Sequence, residues 1–373
     1  MNSKPVTSVD VARKAGVSQS AVSRYFTPGA SVSKKMAEKI RIAADELDYR
    51  PNVLARAMIT GKSRIIGLIV YYFENQFYPE AVEKLSIALQ ENGYHVLLFM
   101  ASNTINDVEP VIQEIMGYRV DGIIMVSVSV SSTLAERCRD LDIPVLLFNR
   151  DQPKDNLRAV TSDNRLGGEL AAKALLRGQP KRVALLAGFS GASTQIDREA
   201  GFMAVLQEAG VELHSRADGN YHYTDAADAA RQLFDVPDQP DAVFVADDHM
   251  ALAALDVIRF EFKLKVPEDV AVVGFDDIPQ AAWPSFNLTT IRQPINQMVS
   301  AAVAMLVDAI EEGNTDARTE RLPAATALRP TPVRQGLRVS LVGKLRLQAF
   351  SQILQKYFLP ASNREFFDRF PTI

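Results

Sequence analysis

From Ile65 onward the chain alternates short, unbroken apolar runs with longer stretches of helical periodicity, and few architectures accept that pattern. The runs are Ile65–Val70, Val96–Phe99, Gly122–Val126, Val145–Phe148, Val183–Ala187, Val243–Ala246 and Val270–Gly274. Between them lie amphipathic stretches at Tyr78–Asn92, Val108–Tyr118, Leu134–Leu141, Arg165–Arg177, Ile196–Ala209, Tyr223–Leu233 and Met250–Phe260. The runs are continuous rather than alternating apolar with polar, which predicts parallel strands covered on both faces. The expected core is α/β, built of doubly wound parallel sheets. Its length predicts two lobes with a boundary near Arg158–Asn164. Leu288–Pro294 is expected to cross back to the first lobe, where the helix Ile295–Glu312 would pack.

The stretch before this core has a different period. Thr7 to Phe26 reads as two short helices joined at Gly16. Thr7 with Asp10 forms a start signal like a capping box. Gly16 can take the left-handed conformation that ends a helix, and Ser18 can cap the next one. Val9, Val11, Ala12 and Ala15 give the first helix an apolar side. At about 100° per residue, Ala21, Val22 and Tyr25 share one face of the second helix and Gln19, Ser20, Ser23 and Arg24 the other. A third helix is expected from Ser33 to about Leu47, with Met36, Ile40, Ala43, Ala44 and Leu47 on its apolar face. An all-α head with an outward Gln-Ser-Arg face is a helix-turn-helix reader of DNA.

Charge supports that reading. Residues 1–64 hold twelve Lys/Arg against five Asp/Glu, a net of +7, while the remainder carries 29 against 40, a net of −11. A basic head on an acidic body suits phosphate binding, and the overall net of −4 hides it. One cysteine, Cys138 in the charged stretch ERCRD, excludes an internal disulfide framework, fits a reducing cytoplasm and reads as incidental. No apolar run reaches membrane-spanning length, and MNSKPVTSVD has no apolar secretory region. Residues 51–63 form a linker. Within it Asn52–Met58 is too short to be a stable helix alone, and is expected to order on DNA and press an apolar side chain into the minor groove.

These motifs together resemble the LacI/GalR (lactose-repressor) family of bacterial transcription regulators, from about Val6 to Arg334. VARKAGVSQSAVSR is similar to the family's helix-turn-helix signature and YRPNVLARAM to its hinge; SDNRLGGELA, DREAGFMAVLQEAG, VFVADDHMALAAL, VVGFDDI and LTTIRQP follow in the family's order. The resemblance implies a core like the periplasmic sugar-binding proteins. It also implies a homodimer, or a tetramer, bound to double-stranded operator DNA, and a small sugar-like effector that changes that binding. The chain then divides into a head (1–50), a hinge (51–63), a two-lobe effector and dimerisation core (64–335) and a tail of unassigned role (336–373). The expected protein is a cytoplasmic regulator, a repressor rather than an enzyme, that needs neither cofactor nor metal.

Specificity positions of the family match Gln19, Ser20 and Arg24. Ser8, Ser18, Ser23, Asn52 and Arg56 are expected on phosphates or backbone, which position without specifying. Leu54 and Met58 share one side of the hinge, and Met58 stands where the family usually inserts Leu. Effectors of such cores lie at the carboxyl ends of the strands, between lobes. There Phe73, Gln76 and Phe77 follow the first strand, and Asn149 and Arg150 follow Val145–Phe148. From the second lobe come Ser190, Ser193, Arg198, Asp247 and Asp276, of which the last three match the family best. The family usually has Asn where Asp247 stands. The extra carboxylate favours a ligand offering hydroxyl or amine donors, although Asp247 can equally be read as a helix cap. Trp283 is expected in core or hinge packing.

Two other classes compete. An enzyme would use the cleft carboxylates, but His95, His214, His222 and His249 lack metal-ligand spacing, and no nucleophile elbow or P-loop is present. A secreted solute-binding protein would share the core but not the basic head. In the tail, Leu347, Phe350, Leu354 and Phe358 form one helical stripe opposite Gln348, Ser351, Gln352 and Gln355. An oligomerisation helix, a segment docked on the core and a non-native extension are all open readings of it.

Overall fold

The protein is described from a computed structural model covering residues 6–26, 30–50, 62–101, 105–127, 132–152, 157–314 and 316–329. The hinge positions Asn52, Leu54, Arg56 and Met58 and the tail 336–373 lie outside the described residues.

The head has three helices, α1 (Ser8–Ala15), α2 (Gln19–Tyr25) and α3 (Lys34–Glu46). Thr7 and Asp10 form the reciprocal capping box, Gly16 ends α1 at φ +65°, and the Ser18 side chain accepts from the Ala21 amide. Val11, Ala12, Ala15, Ala21, Val22, Ile40, Ala43 and Ala44 make the core. Three expectations fail here. Val9 and Met36 are exposed, because neither faces the seam among these short helices. Ser33 occupies the α3 cap position without a side-chain cap bond.

The first lobe is a six-stranded parallel sheet in the order β11-β5-β4-β3-β1-β2. Its strands are β1 (Ile65–Val70), β2 (His95–Met100), β3 (Gly122–Val126), β4 (Val145–Phe148), β5 (Arg158–Ser162) and β11 (Thr319–Leu322). The second lobe is ordered β12-β10-β9-β8-β6-β7. It contains β6 (Val183–Ala187), β7 (Leu213–Asp218), β8 (Ala242–Val245), β9 (Ala271–Asp276), β10 (Thr289–Arg292) and β12 (Ala325–Ala327), the last antiparallel to β10. Helices cover both faces of each sheet. On the first lobe these are α4 (Phe77–Glu91) and α11 (Ile295–Glu311) on one side and α5 (Ile105–Gly117) and α6 (Ser132–Asp140) on the other. On the second they are α7 (Asn164–Leu176) and α8 (Ser193–Glu208), then α9 (Tyr223–Phe234) and α10 (Asp248–Asp256). Cys138 is buried beside Ala135 on α6.

The chain crosses between lobes three times, after β5, at Gln293–Pro294 and between Leu322 and Ala325. The first two lie where the sequence predicts them, but Thr289–Arg292 is a strand of the second sheet rather than part of the crossing. β2 departs from the expectation of two covered faces: as an edge strand it leaves Leu98 and Met100 exposed. β5, β7, β11 and β12 carry mixed polar sequences and give no apolar run. Trp283, expected in packing, is 52 % exposed.

Candidate functional site

In the head, Gln19, Ser20, Ser23 and Arg24 are all exposed on α2, opposite the buried Ala21 and Val22. The face is internally ordered. Gln19 Nε2 donates to Ser8 Oγ at 3.2 Å, linking the two helices. Ser18 and Ser20 hydroxyls lie 2.9 Å apart, and Arg24 Nε donates to the Ser20 carbonyl at 3.3 Å. The outer face of α2 thus presents a polar edge, with Gln19 and Ser20 in its first turn and Arg24 in its last, side chains able to read adenine and guanine in a major groove.

In the core, the carboxyl ends of β1, β4, β6, β8 and β9 converge between the lobes, and the lobes touch directly. The residue at the centre is Asn75, which the sequence reading passed over in favour of its neighbours. Its Nδ2 donates to Asp247 Oδ2 at 3.1 Å and to Asp276 Oδ2 at 3.2 Å, while its Oδ1 accepts from the Phe77 amide at 2.9 Å. Tyr72 Oη donates to the Tyr221 carbonyl at 3.2 Å, and Tyr71 Oη lies 3.3 Å from His222 Nε2. A polar residue in the loop that follows an apolar strand, five positions past its end in YYFENQFY, is the signal that would have found Asn75.

Asp247 caps α10 through the Met250 amide at 2.7 Å and accepts from Asn75 as well, so the capping and cleft readings both describe it. Asp276 accepts from Gln293 Nε2 at 2.7 Å and has φ +125°, a conformation costly for a non-glycine residue. Arg198 is buried in the second turn of α8. Its Nε donates to Asn164 Oδ1 at 2.9 Å, NH1 donates to the Ala246 carbonyl at 2.5 Å, and NH2 lies 3.7 Å from Asp276 Oδ1. The guanidinium stacks 3.6 Å from the centre of the Phe275 ring. Most of its donors are therefore spent on the protein, which holds Asp276 in place.

Burial pushes both carboxyls up, Asp247 to about 6 and Asp276 to about 7, with Arg198 pulling the other way. Asp248 is also raised, by burial and then by Asp276. Its oxygens accept from Thr290 Oγ1 at 2.6 Å and the Ile278 amide at 3.0 Å, a structural role that leaves none of its side chain exposed. His249, in the first turn of α10, is pulled down by burial. From the first lobe, Asn149 is buried at φ +68°, donates to Ser127 Oγ at 3.4 Å and leaves its Oδ1 without a partner. Arg150 is buried, and its charge lowers the pKa that burial raises in Tyr78 and in Tyr221.

The remaining predicted residues divide. Ser193 Oγ accepts from the Asp151 amide at 3.2 Å, across the lobe boundary. Phe77 is buried and lines a cavity of about 180 Å³ with Glu80, Asp276, Gln293 and Ile295. Phe73 is half-buried against the core. Gln76 sits half-buried at the start of α4 without a cap bond. Ser190 lies exposed in the turn that precedes α8. Among the described residues no group of His, Cys, Asp or Glu is arranged to hold a metal ion. No helix among them is long and apolar enough to cross a membrane.

Residues 8–52 match the model of bacterial regulatory proteins of the lacI family, and residues 172–331 match the periplasmic binding protein-like domain. The ribose operon repressor of Escherichia coli (strain K12) is 30% identical over 310 residues, 82% of this chain and 93% of that protein. The lac repressor dimer bound to operator and the anti-inducer ONPF superposes with a TM-score of 0.79 at 26% identity, covering 88% of this chain and 99% of that one. The complex of the transcriptional regulator CelR with cellobiose gives 0.66 at 29% identity over 88% and 100%. A DNA-reading head joined to a two-lobe binding core, matched over nearly its whole length, makes this chain a member of the LacI family of transcriptional regulators.

Proposed function

We propose that the protein is a cytoplasmic, homodimeric repressor without enzymatic activity, whose hold on an operator is set by a sugar or related polyol enclosed between the lobes. One observation carries the ligand class. The closed cleft concentrates buried polar groups: Asn75 donates to both Asp247 and Asp276, Asn149 Oδ1 is buried without a partner, and the Arg150 side chain is buried as well. Hydroxyls donate and accept at once, so a polyhydroxylated ring satisfies such a set. Two similar proteins, a ribose operon repressor and a regulator bound to cellobiose, support the same class. Asn75 bridges the two acids, so it joins Asp247, Asp276, Asn149 and Arg150 as a proposed effector contact, with Phe73, Gln76, Phe77, Ser193 and Arg198 around them. Ser190, exposed in the turn before α8, stays in the proposed set.

For DNA, Gln19, Ser20 and Arg24 are the proposed base readers, with Ser8, Ser18 and Ser23 on the backbone. A gel shift with genomic fragments tests the regulator reading, and a thermal-shift screen of sugars and polyols followed by the same gel shift tests its control. Arg24→Ala should cost about 1–3 kcal/mol of operator affinity and relax preference at one base pair per half-site. Selection from a randomised operator pool that returns the wild-type preference would remove Arg24 from the reading set.

A further inference from the structure

The linker enters the core through two anchors that belong to different elements. Ser63 N, Ser63 Oγ and Arg64 N donate to the carboxylate of Asp121, at 2.8, 2.9 and 2.9 Å. Asp121 immediately precedes β3 and moves with the sheet. Glu311 is the last residue of α11. It accepts from Lys62 Nζ at 3.0 Å, Arg64 NH1 at 2.6 Å and Tyr94 Oη at 2.7 Å. The Arg64 guanidinium lies 5.0 Å from the centre of the Tyr94 ring, and its backbone is left-handed at φ +58°.

The opposite end of α11 sits at the cleft. The Ile295 amide donates to the Gln293 carbonyl at 2.9 Å. The Gln293 side chain joins the two lobes, accepting from Ser162 Oγ at 2.9 Å and donating to Asp276 at 2.7 Å. Seventeen residues separate the ends, about 25 Å of helix at 1.5 Å per residue. Its buried face, including Met298, Ala302 and Leu306, packs along the first lobe. A packed helix shifts as a unit rather than compressing.

We propose that α11 carries the state of the cleft to the DNA-binding linker, and that Glu311 is the positioning residue through which it does so. The proposal rests on the regulator reading above. A ligand that takes the Asp276 oxygen now bound by Gln293 frees the start of α11. The displacement reaches Glu311 and moves Lys62 and Arg64 against Asp121, which stays with the sheet. The ion pairs of Glu311 are partly exposed, and exposed pairs add little stability. Glu311 therefore acts by direction, and its loss should leave the fold intact.

The test needs neither ligand nor DNA. Hydrogen exchange is followed in the full-length protein at the Ser63 and Arg64 amides, with the β3 amides as the folded reference. Gln293→Ala and Gln293→Glu, which cut the cleft end, should raise exchange at Ser63–Arg64 by at least about five-fold, the lower edge of ordinary coupling between sites. In a Glu311→Gln background the same substitutions should add nothing, and Glu311→Asp, which keeps the charge, should restore part of the response. Unchanged exchange in both Gln293 variants, or an undiminished effect without Glu311, would overturn the proposal. Either result leaves the regulator reading standing, since that reading fails only if the protein does not bind DNA.

Discussion

At the scale of single residues, two buried acids decide how the cleft responds to pH. Asp247 and Asp276 titrate near 6 and 7 because burial penalises their charged forms. Unfolded, they would titrate near about 3.9. The native protein thus holds extra protons over this interval, and stability falls with pH wherever the native state is the better proton binder. Their contribution is complete below about pH 4 and is lost as the pH rises through about 7. Ligand binding has the opposite sign. Hydroxyls donating to these carboxylates favour the ionised form, so binding expels protons and tightens as pH rises. Titration calorimetry with D-ribose, or with the best polyol from the screen, should show affinity increasing between pH 5.5 and 7.5. The gain approaches about ten-fold per pH unit for each proton released. A flat profile with no buffer-dependent heat would mean the ligand does not donate to this pair. Asp247 and Asp276 were legible in the sequence because each follows an apolar strand. Asn75, Gln293 and Asn164 were not, because their roles depend on the partner that another element brings into hydrogen-bond range (Asp247 and Asp276 for Asn75, Asp276 for Gln293, Arg198 for Asn164), and that is a property of the folded chain rather than of spacing along it.

At the scale of elements, the motif DNRLGGELA is explained by contact between helices. α7 and α8 cross with backbone against backbone. A Cβ on Gly168 would lie 2.0 Å from the Arg198 carbonyl oxygen, and one on Gly201 would lie 1.9 Å from that of Arg165. No side chain fits either place, so the crossing sets where Arg198 stands and hence where Asp276 is held. Gly201→Ala should cost about 3 kcal/mol or more through overpacking, a fall in Tm of about 6–12 °C at roughly 2–4 °C per kcal/mol. It should weaken effector binding in parallel. Gly117→Ala, where a Cβ meets nothing within 4 Å, is the control and should leave Tm unchanged. Equal melting of both variants would show that α7 and α8 can separate without loss. The helices and the six buried strands β1, β3, β4, β6, β8 and β9 were readable from periodicity, since both faces of each sheet are covered there, and β2 was readable from its apolar run although it lies at an edge. The edge strands β7, β11 and β12 were not, because half of their side chains face water and their place is fixed by pairing with distant strands.

At the scale of the whole molecule, three outward residues on α2 can specify only a few base pairs, so one head is half of a reader. In the proposed homodimer the second half comes from a second copy. The first lobe leaves Leu98 and Met100 exposed on the edge strand β2, with Ile87 exposed on α4. The second lobe exposes Phe260 and Trp283. Arg259 ties their two segments together through the carbonyls of Ser285 and Phe286, at 2.6 and 3.2 Å. The similar lac repressor structure is a dimer, and these exposed apolar side chains on both lobes mark the proposed association surface of this chain. The prediction is that the full chain sediments as a dimer or a dimer of dimers. Leu98→Asp with Trp283→Asp should shift it toward monomer, because each buried carboxylate would be unpaired. Operator affinity should then fall by at least about ten-fold, 1.4 kcal/mol, while the thermal shift with the effector persists in the monomer. A chain ending at Gln335 separates the role of the tail from that of the core. If it remains a dimer, residues 336–373 contribute at most the step from dimer to tetramer; if it becomes monomeric, the exposed residues of the two lobes are insufficient, and the stripe Leu347, Phe350, Leu354 and Phe358 holds the copies together.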